Sequence, residues 1–290
     1  MSKLVFQQTQ DYLVEVSVCS LNSFLNLNPF EVVVLPQNRH KIQTILNNSQ
    51  NSKFIVFPEY TYHESLQELY QNFSNEHSCL IIGGSGLEPI GGNFYAFSPL
   101  FLPDQPEPIK VYKRHITNTE TIYSEGRIIG YPNDVQREFS IRVNEETSYT
   151  FSVFVCYDFL IDPKNRTNIV FVPQYEPSPQ RFINEADTFS KGHHSFVLGA
   201  NNSNNNQRSL GFAILNSNLI EALAHREWRQ ANYTDGDGTL LEFHHTIFYD
   251  IQGERLIRFR VNIGRPYSLP FNFNLADNQP VLIPLPDINI

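Results

Sequence analysis

Three short motifs end in groups suited to acyl-transfer chemistry. Phe57-Pro58-Glu59-Tyr60 closes an apolar run on a carboxylate, Tyr112-Lys113-Arg114-His115 closes another on an ammonium, and Val155-Cys156-Tyr157-Asp158 closes a third on a thiol. A base, an oxyanion stabiliser and a nucleophile are the parts such a reaction needs. Pro58 ends ladder bonding and so sets Glu59 at the mouth of a sheet, where α/β folds bind their ligands. Taken singly, each group has an ordinary explanation: a solvated loop Glu, a surface Lys, a Cys packed as a small hydrophobe. It is their conjunction, each after an apolar or aromatic run, that points to a site.

The elements that must hold these groups are legible as continuous apolar runs, the mark of strands buried on both faces. Strands are expected at Glu31–Leu35, Lys53–Phe57, Cys79–Ile82, Phe151–Val155, Asn168–Val172 and Phe196–Leu198, with helices at Arg39–Leu46, Ser65–Phe73 and Arg181–Lys191. This alternation predicts a layered α/β sheet. Asn93–Phe101 and Lys110–Tyr112 read as hairpin strands joined by the proline-rich turn Pro103–Pro108, so the sheet has antiparallel parts. The tail Gln279–Ile290 is apolar but broken by proline and should lie extended against its own domain or a second subunit.

Composition narrows the class further. A chain of 290 residues, 41% hydrophobic and 13% aromatic, supplies a substantial core and excludes intrinsic disorder. A prior of roughly 150 residues per domain allows two domains in this length, but layered α/β folds often take it as one unit and neither a linker nor a repeat divides it, so one main domain is expected. Its 21 basic against 30 acidic residues, a net charge of −9, argue against nucleic acid as a partner. Three cysteines cannot all pair and lack the spacing of a zinc or redox motif, which fits a reducing compartment. The start, Met1–Asp11, does not read as a secretory signal and no run of about eighteen apolar residues follows. The expectation is a cytoplasmic protein without a membrane partner.

Other signals have plainer readings. His193-His194 and His244-His245 place adjacent side chains on opposite faces and have no carboxylate partner nearby, so no metal is expected. Gly83-Gly84-Ser85-Gly86 lacks the Lys and Ser/Thr of a phosphate-cradling loop and reads as a turn after a strand. Cys19 and Cys79 fall in apolar runs and read as packed core. Asn201–Gln207 is a low-complexity polar stretch, most simply a solvated loop.

The order FPEY, YKRH, VCYD, with Lys113 lying 54 residues after Glu59 and Cys156 a further 43, resembles the nitrilase or carbon–nitrogen hydrolase superfamily. Gly83-Gly84-Ser85, Glu125-Gly126, Val172-Pro173 and Gly199-Ala200-Asn201 extend the likeness, which covers about residues 30 to 265. The resemblance implies a four-layer α-β-β-α sandwich with Glu59, Lys113 and Cys156 as the catalytic set. It also implies a second glutamate after the lysine, with Glu120 the better match and Glu125 the fallback. Tyr60, Tyr157 and Gln174 are then expected beside the substrate, and Asp158 as a structural partner. The implied activity is cleavage of a non-peptide C–N bond of a small amide, or a related carbamoyl or nitrile compound, through a cysteine thioester. No cofactor is implied, and a homodimer or higher homo-oligomer is. An N-acyltransferase of the same fold, or a binding or assembly module within a larger system, are the alternatives. After Cys-Tyr-Asp the family pattern continues with Phe-Pro-Glu, whereas Asp158 is followed by Phe159-Leu160-Ile161-Asp162. Matching the first family strand to Val32–Leu35 leaves residues 1–28 as an extension, 29–270 as the hydrolase-like domain and 271–290 as an extended tail.

Overall fold

The computed structural model describes residues 13–142, 148–167, 169–176, 180–193, 195–202, 209–214, 239–243, 246–251, 254–262 and 282–290. The first part of the chain forms β1 (Leu13–Ser20), β2 (Leu25–Leu27), β3 (Phe30–Val32), α1 (Pro36–Asn48), β4 (Ser52–Val56), α2 (Gln67–His77), β5 (Leu80–Ile82), β6 (Gly86–Ile90), β7 (Asn93–Phe101), β8 (Ile109–Tyr112) and α3 (Asn118–Tyr123). The second part forms β9 (Glu138–Arg142), β10 (Ser148–Val153), α4 (Asp158–Ile161), β11 (Ile169–Pro173), α5 (Gln180–His193), β12 (Phe196–Ala200), β13 (Ser209–Ile214), β14 (Thr239–Phe243), β15 (Thr246–Ile251), β16 (Arg255–Asn262) and β17 (Leu282–Asn289).

Two large sheets result. The first runs β17-β16-β1-β4-β5-β7-β6, with β8 paired to β7; the second runs β14-β15-β13-β12-β11-β10-β9. Each has a parallel centre, β1-β4-β5 in one and β10-β11-β12 in the other, flanked by antiparallel strands. The sheets pack face to face: Phe54 of β4 meets Phe171 of β11 with ring centroids 5.3 Å apart. The next residues of β4 and its extension, Ile55 and Phe57, point the other way, into a cluster with Ile42 and Ile45 of α1 and Tyr70 and Phe73 of α2. On the far side α5 packs on β12 and β13 through Phe182, Ile183, Ala186 and Phe189. The period-2 alternation of the strands thus builds the layers α-β-β-α.

Leu13–Ser20 is a central strand of the first sheet, and the sheet begins there rather than at Val32–Leu35. The expected strand at Glu31–Leu35 shortens to β3, half of a two-stranded hairpin with β2. β1 carries no continuous apolar run, because Val14, Val16 and Val18 alternate with Glu15 and Ser17. Its polar face is covered all the same: Ser17 is fully buried and its Oγ lies 2.8 Å from Ser52 Oγ and 2.9 Å from Ser49 Oγ, while Ser52 donates to Glu15 Oε1 at 3.0 Å. The proline-broken tail supplies β17, paired antiparallel to β16 of its own chain. Cys19 and Cys79 are buried free thiols in the layer between the first sheet and its helices. His194, His244, His245, Asn168 and Ser203–Gln207 lie outside the described residues. Among the described residues no helix is long and apolar enough to cross a membrane.

Candidate active site

Glu59 follows β4 on a loop whose shape is set by close packing. Thr61 Oγ1 donates to Pro58 O at 2.6 Å, the N–H of Tyr60 donates to Ser85 Oγ at 2.9 Å, and Tyr60 itself is held at φ 58°. A Cβ on Gly84, whose φ is +81°, would stand 2.3 Å from both Pro58 O and Thr61 Oγ1, so only glycine lets the turn approach this closely. The Gly83–Gly86 stretch is therefore the bed on which the Glu59 loop rests. The loop is tied across the sandwich as well, the Glu59 N–H donating to Gln174 O at 3.3 Å. Lys113 continues β8, its N–H donating to Ala96 O at 2.9 Å and its carbonyl accepting from Tyr131 N–H at 3.0 Å.

Glu120 sits on the first turn of α3, where Thr117 caps the helix and the two residues form a reciprocal capping box. Its Oε2 accepts from Thr117 N–H at 2.8 Å and from Thr117 Oγ1 at 2.9 Å. That leaves Oε1 facing inward for Lys113 Nζ at 2.6 Å and for the Tyr60 hydroxyl. Lys113 Nζ also donates to Glu59 Oε1 at 2.8 Å. Glu125, the fallback, is exposed at the other end of α3 at φ 55° and takes no part.

Cys156 lies three residues past the end of β10 and adopts φ 48°, uncommon for a residue with a side chain and a mark of constrained functional turns. Its N–H donates to Pro173 O at 2.8 Å and its carbonyl accepts from Phe159 N–H at 2.9 Å, fixing the turn between strand and helix. The Glu59 carboxyl and the backbone amide of Tyr175 both face the thiol. Tyr157 opens α4, with the Arg181 guanidinium 5.9 Å from its ring centroid. The structure thus brings Glu59, Lys113, Glu120, Cys156 and Tyr60 into one constellation, with Tyr157 and Gln174 alongside. Tyr60 enters it through Glu120, to which its hydroxyl is committed.

Burial and charge set the protonation states. Glu59 is 1% exposed and Lys113 fully buried, so two carboxylates share one ammonium in a low-dielectric site. Burial pushes the Glu59 carboxyl up to about 7, against the pull of Lys113 and with the help of the negative Glu120. Glu120 resists its own burial because Lys113, Tyr60 and Thr117 all donate to it, and it stays below the usual carboxylate range. Burial alone would lower Lys113, but Glu120 and Glu59 hold it well above the ordinary lysine value. Burial first, and the Glu59 charge second, raise the Cys156 thiol well above its ordinary value. A neutral thiol therefore stands beside a carboxyl raised toward neutral pH.

Gln174 is fully buried, yet among the described residues neither its Oε1 nor its Nε2 has a partner; the side chain of Asn202, buried just past β12, likewise has none among them. Asn201 does the opposite, clamping Glu176 by accepting its N–H at 3.0 Å and donating to its carbonyl at 2.9 Å. The start of the polar Asn201–Gln207 stretch is thus buried and borders the site. Asp158 accepts the backbone N–H groups of Arg114 and His115, as a structural partner should. The signal that separates Glu120 from Glu125 was present in the sequence as Thr117-x-x-Glu120, a capping-box spacing.

No family model and no curated protein matches the sequence. Solved structures do match the fold. The chain is 15% identical to a CN-hydrolase superfamily protein of Xanthomonas campestris with an arsenic adduct in its active site, over 79% of this chain and 99% of that one at a TM-score of 0.53. It is 15% identical to Saccharomyces cerevisiae Nit3, a member of branch 10 of the nitrilase superfamily, over 74% of this chain and 84% of that one at 0.52. A cysteine-to-alanine mutant of the amidase from Nesterenkonia sp. AN1, in complex with butyramide, matches at 11% identity over 70% and 83% with a TM-score of 0.54. The chain has the fold of the nitrilase superfamily.

Proposed function

We propose that the protein is a carbon–nitrogen hydrolase that cleaves a small amide, or a related carbamoyl or nitrile compound, with Cys156 as nucleophile. The observation that carries this reading is the buried Glu59–Lys113–Glu120 charge group with the Cys156 thiol against Glu59. Glu59 takes the thiol proton as sulfur bonds to the carbonyl carbon, and the C=O electron pair moves onto oxygen. Lys113 Nζ and the Tyr157 N–H hold that oxyanion. The C–N bond then breaks as protonated Glu59 passes its proton to the departing nitrogen, releasing ammonia or an amine and leaving a thioester on Cys156. Glu59, ionised again, takes a proton from water as it attacks the thioester, and the sulfur leaves and is reprotonated. Glu120 holds Lys113 in place and keeps it charged. An amidase in complex with butyramide shares this fold, so an amide is the first donor to test.

Release of ammonia from a panel of aliphatic amides, carbamoyl compounds and nitriles tests the reading. At least one member should turn over with wild type and none with Cys156→Ala. If wild type releases no ammonia from any of them and carries no acyl group on Cys156, the reading fails and a binding module of the same fold replaces it.

A further inference from the structure

We propose that Arg137 is a positioning residue for this chemistry, clasping the turn that begins at Cys156 to the loop that begins at Lys113. The proposal rests on the hydrolase reading of the site and assigns work to the atypical segment after the cysteine. Asp158 and Asp162 lie four residues apart at the two ends of α4, on one face of its single turn. Arg137 Nη2 bridges them, 2.7 Å from Asp158 Oδ2 and 2.6 Å from Asp162 Oδ2. Its guanidinium carbon also stands 5.4 Å from the ring centroid of Phe154, two residues before Cys156. One cation therefore touches the chain on both sides of the nucleophile.

The same two carboxylates grip the lysine loop. Asp158 accepts Arg114 N–H at 2.9 Å and His115 N–H at 2.7 Å, the two amides directly after Lys113. Asp162 Oδ1 hydrogen-bonds His115 Nε2 at 2.7 Å, with Arg114 Nη1 at 3.8 Å. Both acids and Arg137 are buried, at 0%, 5% and 8% exposure. The ligand atoms of His115, Asp158 and Asp162 fall within 4.8 Å of one another, as in a metal site, but the guanidinium already lies against both carboxylates. Without Arg137, Asp158 and Asp162 repel each other, and the acceptor that fixes Arg114 and His115 is free to swing. Lys113 Nζ then loses its registry with Glu59 and the sulfur. A displacement of about 1 Å in such a constellation costs about 100-fold in rate.

The test uses the full-length protein as Arg137→Ala and Arg137→Lys, each with and without millimolar guanidinium. Three readouts are taken: kcat and KM on an amide the wild type hydrolyses, thermal melting, and the rate of Cys156 alkylation by iodoacetamide across pH. In Arg137→Ala, kcat should fall about 10- to 100-fold with KM within about twofold. Alkylation should lose its wild-type pH profile, and guanidinium should restore part of both while leaving wild type unchanged. Arg137→Ala strips the cation from two buried carboxylates and puts folding at risk. Arg137→Lys keeps the charge but loses the flat guanidinium face set over Phe154, and a smaller fall in kcat, about threefold to tenfold, is expected. Wild-type kcat and alkylation in a folded variant, or losses that guanidinium does not touch in folded Arg137→Ala, overturn the proposal. If Arg137→Ala does not fold, the Arg137→Lys result decides by the same standard. Should wild type hydrolyse nothing, the hydrolase reading fails by itself; the alkylation profiles still report the clasp, because they need only the thiol and its neighbours.

Discussion

The half of the site hung from the first sheet and the half hung from the second are built on opposite terms. In the first, the acceptors are occupied: Glu120 alone receives Lys113, the Tyr60 hydroxyl and both the N–H and hydroxyl of Thr117. In the second, the carboxamides of Gln174 and Asn202 are buried and have no partner among the described residues. Leaving a buried polar group unsatisfied costs about 1–3 kcal/mol, so such groups call for an explanation, and a ligand that pairs with them is the one this site offers. On the proposed hydrolase reading, charge is set in place before substrate arrives on one side, and the amides on the other are the groups left to hydrogen-bond it. First-sheet substitutions should therefore act on kcat, and second-sheet substitutions of the unpaired amides on KM.

The largest effect should come from the nucleophile. Cys156→Ala is expected to cut kcat by about 10⁵-fold or more, measured by ammonia release. Lys113→Ala should lower kcat about 10²- to 10³-fold, read in protein whose far-UV circular dichroism matches wild type, because the change leaves two buried carboxylates without their cation; unaltered turnover removes Lys113 from the mechanism. The pH profile sharpens the same side: Glu59 must be ionised to accept the thiol proton and its carboxyl titrates at about 7. The rate kcat/KM should accordingly fall about tenfold per pH unit below about 7, and a profile flat down to about pH 5 would exclude Glu59 as the base. Tyr60→Phe removes one of the donors to Glu120, and a loss of about tenfold in kcat is expected with KM unchanged. The smallest effect belongs to the other half: Gln174→Leu should raise KM about fivefold with kcat within about twofold, and should leave the melting temperature level or higher because it deletes an unpaired amide. A kcat loss at Gln174, or a KM effect at Tyr60, would break the division between the halves.

What was legible in the sequence follows from what each signal depends on. Strands buried on both faces, such as β11 and β12, show as continuous apolar runs, so the layered α/β class could be read. β1 could not be read the same way: its neighbours Ser49 and Ser52 satisfy Ser17, and a strand with a buried polar face looks like an exposed one until its partners are known. The motifs at Glu59, Lys113 and Cys156 were visible because each ends an element. The contacts that make them a site join positions far apart in the chain, as Glu59 N–H to Gln174 O does, and no local pattern encodes those. Arg137 was invisible for the same reason, since its role exists only through Asp158 and Asp162.

Intact-mass analysis of the wild-type protein, acid-quenched during incubation with an amide it turns over, tests the central claim most directly. The account predicts a mass increase equal to the acyl group of that amide, mapped to the peptide holding Cys156 and absent in Cys156→Ala. Turnover with an unmodified Cys156 under rapid quench, or an acyl group on any other residue, would contradict it.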